Sequence, residues 1–465
     1  MISCPSCLRE VNIAQDMRGS LRRIVVAAGV AIALWVTAET AQTPRLVLDH
    51  ARIIDGSGAA PIEDGRIVIE GDRIARVGPA ATIGVPPGAE TIDLSGGTVI
   101  PGLIDLHFHI ENDPKMALRQ LSHGITAFRD PGQWDEQFVE LRRMIAADGI
   151  SGPRIFTTGP HIDGDGPAYP ADSVVARDAE EARRHAELSV ARGASALKIY
   201  FRLPFASAKA VIGVCQAHRI PCTAHLEILD ARELIAAGLD GVEHVTSFGV
   251  SLVPRREAEA YRQAVLKNND ARRDGRYRLF SGADLDGQEA RALYAVLRER
   301  KPFVDATLAV FERRPPSPQG PAGVGGTGSA SPPPRDAKQP DLTPVLVSGF
   351  AKMKQLTRRV SREGARVVMG GHTEVPFAGR GEAPWRELEL LVESGFTPLE
   401  AISAATATAA AFLYRGRELG SLRTGFNADL VVLRGQPDRD ISAIRTVDRV
   451  MVAGKWIDTA KYRQY

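Results

Sequence analysis

Ile104-Asp105-Leu106-His107-Phe108-His109 reads as an apolar strand that ends in two histidines two positions apart. Side chains two apart on a strand share a face, so both imidazoles can turn toward one ion. An H-x-H pair alone is a weak signal, and its surroundings strengthen it. From this strand onward, short apolar segments alternate with helical ones. Strands are expected at 103–109, 124–130, 154–159, 195–200, 221–226, 241–246, 303–308 and 366–371. Helical spacing of apolar residues appears over segments such as Ala176–Arg192 and Pro384–Ser394. Eight parallel strands with helices between them make an α/β fold, a (β/α)8 TIM barrel over residues 103–413.

On both sides of the barrel the period changes to two. Arg66-Ile67-Val68-Ile69-Glu70 and Arg73-Ile74-Ala75-Arg76-Val77 flank Gly71-Asp72, a hairpin signal. Near the other end, Asp429–Leu433 and Asp448–Val452 are strands, the second turning at Ala453-Gly454-Lys455. Residues 42–102 and 414–465 are therefore expected to form one small β-sandwich domain built from both termini. Two insertions interrupt the barrel. Residues 255–282 are charged and helix-prone and should cap one mouth. Residues 314–344, rich in Pro, Gly and Ser, read as a surface insertion or a lid.

Residues 1–41 read as an N-terminal extension and signal peptide. Arg18, Arg22 and Arg23 precede the apolar run Ile24–Ala38, with a small-residue cleavage site after Ala38. The run is shorter than the roughly 20 residues of a membrane span, so no stable span is expected after cleavage, and the mature protein should be periplasmic or secreted. Hydrophobic residues at 44%, charged residues at 25% and a net charge of +2 describe an ordinary globular chain with no footprint for nucleic acid. Cys4 and Cys7 lack the second pair a zinc ribbon needs. Cys215 and Cys222 read as free core thiols.

Three more metal-ligand candidates end barrel strands: Lys198 in Leu197-Lys198-Ile199, His225 in Ala224-His225-Leu226 and His244 in Glu243-His244-Val245. All fall at carboxyl ends, where barrels build active sites. A lysine inside an apolar strand is costly unless paired, modified or able to reach the rim. Tyr200 shares the face of Lys198 and is a candidate substrate contact, with core packing as the alternative. His161 is placed in the loop after the third strand, where it either touches substrate or lies on the surface. His123 reads as structural, and His50, His185 and His218 as surface or helix residues.

Pro101–His109, the strand-end Lys198, His225 and His244, the stretch Leu399–Thr406 and the return Gly420–Leu430 together resemble the metal-dependent amidohydrolase superfamily, in its imidazolonepropionase- and prolidase-like branch. The resemblance covers the chain from about residue 45 onward, outside the insertions. It implies one or two divalent ions, Zn2+ by default, held by His107 and His109 and by His225 and His244. Lys198, carboxylated by carbon dioxide, would bridge two such ions. It also implies hydrolysis of an amide, peptide or cyclic-amide C–N bond in a small molecule, by metal-bound hydroxide attacking the carbonyl. Esters and lactones are admitted by the same chemistry, and oligomerisation stays open. One departure stands out. Where the family ends its eighth strand with a G-T-D-like turn, this chain reads Gly370-Gly371-His372-Thr373-Glu374, which makes His372 both a candidate ligand and the candidate base. Glu374 is the nearest carboxylate in sequence. A barrel that keeps its metal, loses hydrolysis and binds a small ligand is the alternative reading.

Overall fold

The computed structural model of the protein describes residues 45–315 and 342–465. The expected leader, Cys4, Cys7 and most of the Pro-rich insertion lie outside the described residues. Among the described residues, no helix is long and apolar enough to cross a membrane.

The alternating pattern at the start of this region forms β1 (Arg45–Ile53), β2 (Ile62–Glu70) and β3 (Arg73–Pro79), an antiparallel meander whose second turn is Gly71-Asp72. β4 (Glu90–Asp93) and β5 (Thr98–Pro101) run parallel to β1 along its other edge. From the far end of the chain, β16 (Leu430–Leu433), β17 (Val447–Val452) and β18 (Lys455–Ile457) join antiparallel to β5, completing a sheet of eight strands. Alternate residues of β16 serve two cores. Leu430 and Val432 pack inside the sheet domain, while Val431 and Leu433 pack against the barrel. Burial on both faces is why this strand is apolar throughout.

All eight expected barrel strands are present: β6 (Leu103–Asp105), β7 (Ile125–Asp130), β8 (Arg154–Thr157) continued by β9 (His161–Asp163), β11 (Leu197–Ile199), β12 (Cys222–His225), β13 (Gly241–Glu243), β14 (Phe303–Asp305) and β15 (Arg366–Val368). A short β10 (Ser173–Val175) lies outside β9. The third position is split. β8 pairs with β7, the chain breaks at Thr158-Gly159-Pro160, and β9 pairs with β11. First and last strands meet where the Leu106 N–H donates to the Met369 carbonyl at 3.0 Å. Lower down, the Ala405 and Ala404 carbonyls accept from Ile104 N–H and Met369 N–H, which explains in packing terms why Leu399–Thr406 adjoins the barrel seam. The charged insertion forms two helices, Arg255–Lys267 and Ala271–Gly282, and the second helps wall the cavity at the strands' carboxyl ends. Cys215 and Cys222 are free and buried.

Candidate metal centre

The β6 ladder ends at Asp105, short of the strand expected to reach His109, yet the chain stays extended. Phe108 N–H donates to the Arg129 carbonyl at 3.0 Å, so Leu106 and Phe108 enter apolar cores while His107 and His109 line the cavity. Asp105 Oδ1 accepts from the His107 N–H (3.0 Å) and the Gly371 N–H (2.8 Å), clamping the first strand to the turn that carries His372. That turn comes very close. A Cβ on Gly370 would lie 2.1 Å from Asp305 Oδ1 and 2.7 Å from His107 Cβ, so only glycine fits. Strain concentrates here as well. His244 (φ 63°), Thr307 (47°), His372 (59°) and Thr373 (53°) all hold positive φ without being glycine. Each such residue costs about 1–3 kcal/mol and persists only where its surroundings fix it.

The imidazoles form one cluster. Ring centroids lie 5.1 Å apart for His107 and His109, 5.1 Å for His107 and His372, 4.6 Å for His107 and His244, and 4.4 Å for His225 and His244. Burial, followed by the positive charge of Lys198 and neighbouring histidines, holds His107, His109 and His244 well below the usual imidazole range. Burial likewise brings His225 and His372 down to about 4. All are therefore neutral near pH 7, the form that donates a lone pair to a metal. Candidate ligand atoms of His107, His109 and His372 lie within 4.8 Å of one another, and so do those of His107, Glu243 and His244. His107 Nε2 and His225 Nδ1 are buried without a hydrogen-bond partner. Unpartnered imidazole nitrogens beside a carboxylate fit a divalent ion such as Zn2+.

Beneath the histidines sits a charged layer. His107 Nδ1 lies 2.8 Å from Asp305 Oδ2. Donation from Nδ1 leaves Nε2 as the free lone pair, the arrangement by which a carboxylate orients a metal-binding histidine. Burial pushes the Asp305 carboxyl well up, opposed in part by the Arg129 guanidinium 3.8 Å away. Glu243 receives Arg129 at 2.8 Å and Lys198 at 2.7 Å. Burial pushes the Glu243 carboxyl up, but those two cations outweigh it and bring it to about 2.

Not every expected residue falls where the sequence placed it. His161 is not in a surface loop: it begins β9, is buried, and stacks on Tyr200 at 4.3 Å between centroids. Gly132 admits it, since a Cβ there would stand 2.7 Å from His161 Nε2. Tyr200 lines the cavity, 4.8 Å from the His225 ring. His225 reaches the cluster but points Nε2 at Glu227, 3.1 Å away, and belongs to neither ligand group. Lys198 is buried, with its Nζ 2.7 Å from Glu243 Oε2, rather than a rim-seeking side chain. Besides Glu227 on His225 and Asp130, 3.8 Å from His109, the carboxylates touching the cluster are Asp305 and Glu243, not Glu374. Both are buried, and both end apolar strands in Val304-Asp305 and Val242-Glu243, a signal the histidines overshadowed. His123 is structural as expected, bonded to the Gly381 carbonyl at 3.0 Å and stacked on Trp385.

Fold and cluster together define a (β/α)8 barrel with a strand-end histidine centre and an appended sheet domain. The profile of the Amidohydrolase family matches residues 350–457. Imidazolonepropionase from Micrococcus luteus is 29% identical over 120 residues, 23% of this chain and 29% of that protein. An adenine deaminase from Leuconostoc mesenteroides is 25% identical over 79% of this chain and 53% of its own length. The chain thus spans about half or less of these curated relatives. In fold, it superposes on the crystal structure of a putative prolidase from Bifidobacterium longum with a TM-score of 0.65 and 23% identity, covering 91% of this chain and 98% of that one. In sequence the chain is thus similar to the Amidohydrolase family over residues 350–457, and in fold to a putative prolidase over most of its length.

Proposed function

We propose that the protein is a divalent-metal-dependent hydrolase of an amide-type C–N bond in a small-molecule substrate. The observation that carries this reading is the cluster of buried and half-buried imidazoles, with unpartnered nitrogens on His107 and His225, at the carboxyl ends of the barrel strands. The similarity of residues 350–457 to the Amidohydrolase family supports the bond type. When bound, the ion supplies Lewis acidity to a carbonyl oxygen and lowers the pKa of a nearby water.

The protein's own groups do the rest. His107, His109 and His372 are the ligands, and Asp305 holds the His107 ring in the required tautomer. Burial first, and then Tyr169, keeps the Tyr200 phenol protonated, so it stands in the cavity as a hydrogen-bond donor for an oxygen that gains negative charge. The Tyr200–His161 stack forms one wall and limits water on that side. As a ligand, His372 has no lone pair left for a proton, so its roles as ligand and as base exclude each other. Lys198, paired with Glu243, leaves a centre for one ion; converted to a carbamate, it would offer oxygen ligands beside His225 and His244 for a second.

The test is the metal content of the protein purified without chelators, as wild type and as His372→Ala. About one ion per chain, lost in the variant, is expected. Two ions would assign the carbamate to Lys198. Retention of metal in the variant, with activity lost, would make His372 the base. No ion after incubation with zinc or manganese would overturn the reading.

A further inference from the structure

The cavity over the histidines measures about 450 Å³, and the second insertion helix presents Arg272 and Arg276 to it. Both guanidinium groups are largely withdrawn from water, with relative exposures of 4% and 9%. Their partners differ. Arg276 donates to Glu227 at 2.9 Å, and Glu227 in turn faces His225, so that charge is answered inside the protein. Arg272 donates to the Asn269 carbonyl (2.7 Å) and the Tyr169 hydroxyl (3.1 Å), both neutral. Its one carboxylate contact among the described residues is Asp270 at 3.8 Å, exposed and already bonded to Arg273 at 2.9 Å. The faces of Tyr169 and Phe201, each 5.6 Å from the guanidinium carbon, supply only partial compensation.

A buried cation without a counter-ion costs several kcal/mol, a cost that an anion entering from the cavity would offset. The position suits a substrate group at a distance from the reacting bond. Phe201, beneath Arg272, has its ring centroid 5.8 Å from that of His225, at the edge of the histidine cluster. A guanidinium presents paired N–H donors that match both oxygens of a carboxylate. From this contrast with Arg276 we infer that Arg272 is a specificity-determining residue that binds a carboxylate on the substrate, so that the amides hydrolysed are N-acyl amino acids or peptides with a free terminal carboxylate.

The inference rests on the hydrolase reading for the word substrate, but its test is binding and needs no turnover. Metal-loaded protein is titrated calorimetrically with N-acetyl-L-alanine, N-acetyl-L-leucine and N-acetyl-L-phenylalanine, and with the carboxamide of each. Wild type should bind at least one acid about tenfold to a hundredfold more tightly than its carboxamide, the range of one charge-assisted contact. Arg272→Met, which keeps the length of the stem, should abolish that preference while metal content and melting temperature stay near wild type. Arg272→Lys should retain part of it, and serves as the probe should the methionine variant fail to fold. Equal affinity for acids and carboxamides in wild type, an unchanged preference in the variants, or no binding by any pair overturns the assignment. Preference lost in Arg272→Met by a protein that hydrolyses nothing would keep the subsite and remove the hydrolase reading. Hydrolysis that ignores the carboxylate would do the reverse.

Discussion

The terminal sheet and the mouth of the barrel bury side chains on opposite terms. Inside the sheet, the core cluster is apolar, built from residues such as Leu48, Ile67, Leu430 and Met451. Charges at its rim are answered: Arg52 meets Asp438 at 2.6 Å and Arg66 meets Asp49 at 2.7 Å. At the mouth, the same chain buries His107, His161, His225, His244, Lys198, Glu243 and Asp305, and several of their polar atoms lack partners. Burying polar groups without partners costs free energy that apolar burial in the sheet does not. Folding alone gives no return for that cost, whereas binding an ion and a substrate does. The sheet therefore serves stability and the mouth serves function, and substitutions in the two should leave different signatures.

The largest effect belongs to His107, the residue shared by both ligand groups. His107→Ala should lose bound metal entirely and lower hydrolysis by about three orders of magnitude, roughly 4 kcal/mol of barrier. Metal analysis beside a kinetic assay reads both, and metal retained at the wild-type level would move the centre away from this histidine.

Leu430→Ala should do the opposite. Its side chain is fully buried on the sheet-domain side of β16, which lies between β17 and β5. Truncation should cost about 2–5 kcal/mol through lost burial and the cavity left behind. Thermal melting would show this as a lower Tm, with metal content per folded chain unchanged. Loss of metal in this variant would mean that sheet and mouth are coupled, and the division drawn between them would fail.

The same division explains what could be read from sequence. Period-two alternation and the turns at Gly71-Asp72 and Ala453-Gly454 announced the sheet, because local pattern and local pairing coincide there. The barrel strands were legible for a similar reason, each being a short apolar run between helices. At the mouth, His107, His109, Lys198, His225, His244 and His372 could be picked out by residue type and strand position. Their partners could not. Asp305 is 198 positions from His107, and nothing local says that the two touch. His161 looked like a loop residue because Gly159-Pro160 interrupts the third strand, and only pairing to β11 restores it. The helices of residues 255–282 were expected as a cap, but that one of their arginines would lack a counter-ion is a property of three-dimensional neighbours alone.

Asp305 sharpens the comparison most finely, because it is a mouth residue whose contribution should be purely orientational. Its Oδ2 faces His107 Nδ1, and it contributes no ligand atom to either group. Asp305→Asn keeps the shape but replaces a carboxylate acceptor by an amide, weakening the hold on the tautomer that frees Nε2. Metal affinity should fall about tenfold to a hundredfold, the usual loss when such a supporting group is removed. The amide also removes a buried carboxyl that burial already penalises, so the metal-free variant should melt no lower than metal-free wild type. Competition against a chelator gives the affinity, and melting with and without metal gives the stability. Weaker binding with stability kept would show that a buried carboxylate at the mouth is retained for the ion and not for the fold. A large loss of stability with affinity intact would place Asp305 with Arg52 and Asp49, among the charges that serve only to hold the structure together.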